Sequence, residues 1–271
     1  MAASKVGSLE GKTALVTGGS RGIGAAVAVQ LAQRGASKIA ITYAGNTKAA
    51  DSTLEELKKL GVQKAIAIQA DLLDPRLGAN LIPQVLSGLD TKTIDITVCN
   101  AALNTPDLVV PFANITLEKF NKVFQGNTFS AISIIAAVLP HLPVKGGRVV
   151  TISSIMSKLA NDDVSIAYGA SKAALDSITR SLAASFAATK HATFNSVSVG
   201  STATDPLKAV MKVLPSAIEE SVAPHTIEKR PGEPEEVASV VGFLASDEAR
   251  WVNGAQIPAH GGNRYMLALQ G

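Results

Sequence analysis

Short apolar runs rich in β-branched residues alternate along this chain with longer stretches whose apolar positions recur every three or four residues. The first pattern predicts buried strands and the second predicts helices packed through one face. Strands are expected at Thr13–Thr17, Lys38–Tyr43, Ala65–Ala70, Ile94–Cys99, Gly147–Ser153, Phe194–Val199 and Ala255–Ala259. Helices are expected at Gly24–Arg34, Lys48–Leu60, Leu117–Leu139, Ala167–Lys190 and Pro234–Ala245, with a further helical stretch before the fourth strand. Gly35 and Gly61 end the first two helices, and Pro140 stops the third, because glycine adopts the left-handed cap and proline cannot continue the hydrogen-bond ladder. Strands separated by helices of ten or more residues imply βαβ units, hence a doubly wound parallel sheet with helices on both faces. There is no linker-like change of composition and no repeat, so 1–271 is expected to be one domain. The least regular stretch, Asp205 to Gly232, carries four prolines and is expected to be an insertion covering a substrate site.

Composition narrows the possible functions. Hydrophobic residues make up 46% of the 271 residues but aromatic ones only 4%, so small aliphatic side chains must fill a large core. A net charge of +3, without a Lys/Arg run, gives no reason to expect nucleic acid or an anionic membrane as a partner. The single cysteine, Cys99, cannot form an internal disulfide and fits a reducing compartment, so a cytoplasmic protein is expected. The polar N-terminus lacks the apolar core of a signal peptide, and no stretch reaches ~18 uninterrupted apolar residues, so no membrane span is expected. His141, His191, His225 and His260 lack metal-ligand spacing, so no metal is expected.

Candidate chemistry falls at two places. Thr17-Gly18-Gly19-Ser20-Arg21-Gly22-Ile23-Gly24 lies between the first strand and first helix. Glycines there let the backbone turn sharply and approach a pyrophosphate, to which the helix start offers free N–H groups. Gly18, Ser20, Arg21, Gly22, Ile23 and Gly24 are therefore candidate cofactor-binding residues. The spacing is G-x-x-x-G-x-G rather than the commoner G-x-G-x-x-G. The end of the second strand, Thr42 to Thr47, has no acid to bind an adenosine ribose hydroxyl. Arg21 could face a 2′-phosphate, with neutral hydrogen bonds from Asn46 and Thr47, which favours NADP(H); a solvated loop charge is the other reading of Arg21. Asp71, after the third strand, could accept from an adenine amino group or cap the next helix.

The second place is Tyr168-Gly169-Ala170-Ser171-Lys172. On a helix its phenol and ammonium lie about 40° apart, one turn along the same face. A nearby cation is expected to lower the tyrosine pKa from ~10, so that the phenol can exchange a proton near neutral pH. Ser153 and Ser154 end the strand upstream, where a hydroxyl could hold a substrate oxygen beside the phenol or merely cap the strand.

With these motifs in this order the chain resembles the short-chain dehydrogenase/reductase family over nearly its whole length, most closely the 3-oxoacyl-carrier-protein and hydroxynaphthalene reductase branch. The resemblance implies a Rossmann-type fold and rests also on Asn100-Ala101-Ala102, on Arg230 to Ala238 and on Phe243 to Asp247. It implies a catalytic set of Asn127, Ser154, Tyr168 and Lys172, with Asn127 holding a water that relays protons to Lys172. It further implies that Lys172 contacts the nicotinamide ribose, that Ile23 and Asn100 line the cofactor, and that Thr202 and Thr204 meet the nicotinamide carboxamide or the phosphates. A homo-oligomer, dimer or tetramer, built on the two long helices is implied as well. Two positions depart from the pattern: Val199 precedes Gly200 where proline is usual, and His260 precedes Gly261-Gly262 where aspartate is usual. A structural or subunit-contact role is expected for His260. The expected activity is NADPH-dependent reduction of a ketone on a hydrophobic small molecule of secondary metabolism. Imine reduction, isomerisation or cyclisation by the same site is the alternative, and a non-enzymatic cofactor-binding regulator ranks last because no member of the catalytic set is missing.

Overall fold

The computed structural model describes residues 7–205, 207–208 and 225–268. Most of the expected 205–232 insertion therefore lies outside the described residues, as does the end of the tail. Among the described residues seven strands, β1 (Thr13–Val16), β2 (Lys38–Tyr43), β3 (Lys64–Gln69), β4 (Ile96–Cys99), β5 (Gly147–Ser154), β6 (Ala192–Val199) and β7 (Gln256–Ala259), form one sheet in the order β3-β2-β1-β4-β5-β6-β7. Every pairing is parallel. A parallel sheet buries both faces, so its central strands carry unbroken apolar runs. In β1, Ala14 and Val16 enter one core layer while Leu15 enters the other.

The first layer lies under α1 (Gly22–Gln33), α2 (Thr47–Lys59) and α7 (Pro234–Ala245), through Val27, Leu31, Leu57, Val241 and Leu244. The second lies under α3 (Leu77–Gly88), α5 (Ser130–Val138) and α6 (Ile166–Lys190), through Leu81, Val85, Ile134, Val138 and Leu175. Chain order runs outward from β1 to β3, then restarts beside β1 at β4 and runs the other way. That reversal leaves a crevice above the carboxyl ends of β1 and β4, the place where open α/β sheets bind ligands.

Element identities agree with the pattern of apolar positions, and boundaries differ by a residue or two. Pro234–Ala245 is reproduced to the residue, held by a reciprocal cap between Glu233 and Glu236 and by Pro234 in the first turn. A short helix, α8 (Arg264–Ala268), was not expected.

The long helix expected at Leu117–Leu139 is the main departure. It forms as α4 (Leu117–Phe124), a π-helical turn at Gln125–Phe129, and α5. Ser130 Oγ donates to the Gly126 carbonyl at 2.7 Å, and the buried Asn127 side chain grips Leu103 at both ends. The widened turn carries Asn127 paired with the Leu103 backbone, a long-range contact invisible to helical periodicity. By length and composition Leu117–His141 could cross a membrane, its most apolar 18-residue window having a mean hydropathy of 1.4, but half of that window is buried within the fold.

Candidate active site

Two adjoining cavities occupy the crevice. The first, about 410 Å³, lies over the β1–α1 turn and the end of β2; Gly18, Ser20, Arg21, Gly22, Ile23, Gly24, Asn46, Asn100 and Thr204 all line it. The second, about 370 Å³, is lined by Ser154, Tyr168, Lys172, Val199 and Thr202 among others. Ile23, Asn100, Ala102 and Thr204 border both, so the two form one continuous cleft.

Backbone geometry builds the first cavity. Gly18 sits at φ +64°, and a β-carbon at Gly24 would lie 2.1 Å from the Gly18 carbonyl oxygen, so only glycine permits this close return of the chain. The Gly18 N–H donates to Thr42 Oγ1 at 3.0 Å. Thr17 Oγ1 accepts from the N–H groups of Asn100 and Ala101, both at 3.0 Å, while Asn100 Nδ2 donates to the Thr17 carbonyl at 2.9 Å. These bonds pin the ends of β1, β2 and β4 to one another. Thr17 and Thr42 were missed as site residues; their signal, a hydroxyl at the end of a buried strand, has no meaning until the strands are paired. At its start α1 has neither an acidic residue nor a side-chain cap, leaving its first N–H groups and dipole free for an anion. This cradle, with exposed Arg21 on its rim and no carboxylate at the end of β2, fits a dinucleotide with an additional phosphate.

Two expected contacts are not brought to this wall. Asp71 is exposed, and its Oδ1 accepts from the Leu73 N–H at 2.9 Å; the carboxylate serves the local turn, while its neighbours Ala70 and Leu72 line the cavity. Thr47 is the first residue of α2 and does not line the cavity. Asn46 does, but its Oδ1 caps α2 by accepting from the Ala49 N–H at 3.0 Å.

The second cavity is made by side chains. Tyr168 and Lys172 stand one turn apart on α6, and Lys172 Nζ lies 5.9 Å from the phenol ring centroid. The ammonium donates to the Ile152 carbonyl of β5 at 2.9 Å, and Lys172 as a whole is 2% exposed. Ser154 ends β5, where its Oγ accepts from the Met156 N–H at 3.2 Å and shapes the turn that follows.

Proton affinities here correct an expectation. Burial raises the Tyr168 pKa, and the Ser154 hydroxyl only partly offsets it. The adjacent Lys172 ammonium does not reverse that rise, and burial also pushes its own pKa down to about 8. Desolvation outweighs the pairwise attraction. A protonated Tyr168 at neutral pH is suited to giving a proton. The buried Cys99 thiol is pushed up to about 12, which leaves it inert.

Asn127 lines neither cavity. Its Oδ1 accepts from the Leu103 N–H at 2.7 Å and its Nδ2 donates to the Leu103 carbonyl at 2.9 Å, so the amide holds the Ala102–Asn104 wall. The two unusual positions take regular places in the fold, although the buried His260 Nε2 has no hydrogen-bond partner among the described residues. Val199 continues β6, in register with Ser154 and Ala259. His260 is 8% exposed, its Nδ1 accepts from the Asn263 N–H at 3.0 Å, and burial lowers its pKa; it secures the approach to α8.

The model of a family described as "Enoyl-(Acyl carrier protein) reductase" matches residues 18–264. The chain is 55% identical over 261 residues to "Short chain dehydrogenase asqE" of Emericella nidulans, covering 96% of both chains. It is 38% identical over 255 residues to "Hydroxynaphthalene reductase arp2" of Aspergillus fumigatus, covering 91% of this chain and 90% of that one. Among solved structures it superposes on the angucycline C-6 ketoreductase LanV with bound NADP, with a TM-score of 0.83, 33% identity, and coverage of 94% and 96%. A glycine cradle joined to a Tyr/Lys cleft at the sheet reversal, together with this full-length similarity, shows that the chain belongs to the short-chain dehydrogenase/reductase family of oxidoreductases.

Proposed function

We propose that this protein is an NADPH-dependent reductase of a ketone carried on a hydrophobic, polyketide-like small molecule. The observation that carries the reading is the single cleft in which the Gly18–Gly24 cradle meets Ser154, Tyr168 and Lys172. The arp2 and LanV names, a hydroxynaphthalene reductase and an NADP-bound ketoreductase, support the reaction class and the cofactor.

NADPH, when bound, supplies the hydride that adds to the carbonyl carbon. Ser154 donates a hydrogen bond to the carbonyl oxygen and sets it beside Tyr168. As the carbonyl π pair moves onto oxygen, the Tyr168 phenol gives up its proton there, completing the alcohol. The tyrosinate left behind is stabilised by the Lys172 ammonium and regains its proton from solvent. Thr204, at the join between the cavities, and Thr202, in the second cavity, hold the nicotinamide end, while Arg21 and Asn46 take the adenosine phosphate. Asn127 acts through the Leu103 wall, and Asp71 through the turn beneath the adenine.

The protein works as a cytoplasmic homo-oligomer, a dimer or tetramer, through its two long helical segments. Exposed Leu117, Phe120 and Phe129 on the first, and Ile166 on the second, support that surface. The test is loss of NADPH absorbance with a panel of bicyclic aromatic and aliphatic ketones, run in parallel with NADH. Turnover of a ketone with NADPH and little with NADH is expected. Equal use of NADH, or full turnover by Tyr168→Phe, would overturn the reading.

A further inference from the structure

Tyr168 and Lys172 are the first two of three polar residues spaced four apart on α6; the third is Asp176. Asp176 is 4% exposed. Its Oδ2 accepts a hydrogen bond from Gln256 Nε2, and its Oδ1 is buried without a hydrogen-bond partner among the described residues. Gln256 opens the edge strand β7, and its Nε2 also donates to Ser157 Oγ at 3.1 Å. Ser157 closes the turn that starts from Ser154. One short chain of hydrogen bonds thus ties α6, β7 and the Ser154 turn together beneath the reacting groups.

A carboxylate this buried, with one oxygen unpaired, is costly unless a cation faces it. Residues four apart on a helix bring their β-carbons within about 5–6 Å, and the residue four before Asp176 is Lys172. The Lys172 ammonium donates to the Ile152 carbonyl of β5 and lies near the Tyr168 ring of α6; the titratable groups near enough to act on its charge without a hydrogen bond are the buried Cys99 thiol of β4 and the Asp176 carboxylate of α6. Asp176 is the carboxylate in that set. Burial drives Lys172 down to about 8, and attraction to Asp176 is the largest influence opposing the fall.

We propose that Asp176 is a positioning residue of the site: anchored by Gln256, its carboxylate keeps the Lys172 ammonium charged, and the Gln256–Ser157 bond extends the same constraint to the turn bearing Ser154. This rests on the reading of Tyr168 and Lys172 as the proton-handling pair. It assigns β7 a part in the chemistry although no β7 residue reaches the Tyr168 cavity.

The test is a pH titration of Lys172 in the full chain labelled with 13Cε-lysine, the resonance identified by its absence in Lys172→Arg. Asp176→Asn keeps the shape of the side chain and removes its charge. It is expected to lower the Lys172 midpoint by about one pH unit or more and to move the basic limb of kcat/KM in the same direction. Asp176→Glu is expected to hold the midpoint near the wild-type value. A folded Asp176→Asn protein whose Lys172 midpoint is unchanged would overturn the proposal. Should that variant not fold, Gln256→Leu decides: a lowered midpoint supports the anchor and an unchanged one overturns it. The titration needs no substrate, so it stands apart from the function reading, which fails instead if Tyr168→Phe turns over normally.

Discussion

The two halves of the cleft are made of different material. Over β1, α1 and β2 the wall is rich in glycine and alanine, which leave main-chain N–H groups and carbonyls open to a ligand. Over β5, α6 and β6 it is side chains, Lys172 buried and Tyr168 half-buried, whose proton affinities are displaced by desolvation. A main-chain site recognises shape and charge and needs the absence of side chains, whereas a side-chain site performs proton transfer and needs particular atoms. Mutation should therefore harm the two halves in different ways.

The sharpest separation comes from Tyr168→Phe. Removing the proton donor should cost about 10³-fold in kcat while leaving NADPH affinity within about twofold, measured by turnover and by quenching of protein fluorescence. A parallel loss of NADPH affinity would break the distinction. Gly24→Val should do the reverse. Its β-carbon would lie on the Gly18 carbonyl, so NADPH affinity should fall by about 100-fold and the fold should lose about 1–3 kcal/mol, read by titration and by thermal unfolding. Arg21→Ala should weaken NADPH about tenfold, the worth of a charge-assisted hydrogen bond, with NADH binding unchanged; an equal loss for both would place Arg21 away from the extra phosphate.

The smallest expected effect is a pH dependence confined to the side-chain half. Lys172 is charged below about pH 8 and loses its charge as pH rises through that value. kcat should therefore decline above pH 8 by a few-fold, with NADPH affinity changing less. Tyr168, raised above its ordinary value, stays protonated across that range, so the decline belongs to Lys172. Lys172→Arg, which remains charged, should flatten it.

Much of the main-chain half was legible beforehand because it is local. Glycines between a strand and a helix allow the positive φ and close chain return that other residues forbid, and Gly18 to Gly24 form the cradle their spacing implies. Thr17, Thr42 and the turn made by Asp71 were not legible, since each depends on which strand end stands beside it. On the other side, the i,i+4 spacing of Tyr168 and Lys172 was readable from helical geometry alone. Their proton affinities were not, because burial is a property of the assembled sheet and reverses the shift that the pair alone would give Tyr168.

The sequence by itself determined the order and type of the elements, the parallel α/β class, the glycine turn and the facing of Tyr168 and Lys172, all of which follow from local periodicity and backbone sterics. Tertiary structure alone decided the π turn that commits Asn127 to Leu103, the register that sets Ser154 beside Val199, and the joining of Asp176, Gln256 and Ser157. Those features join residues about 20 to 100 positions apart, and only the packing of the sheet and its helices brings them within reach of a hydrogen bond.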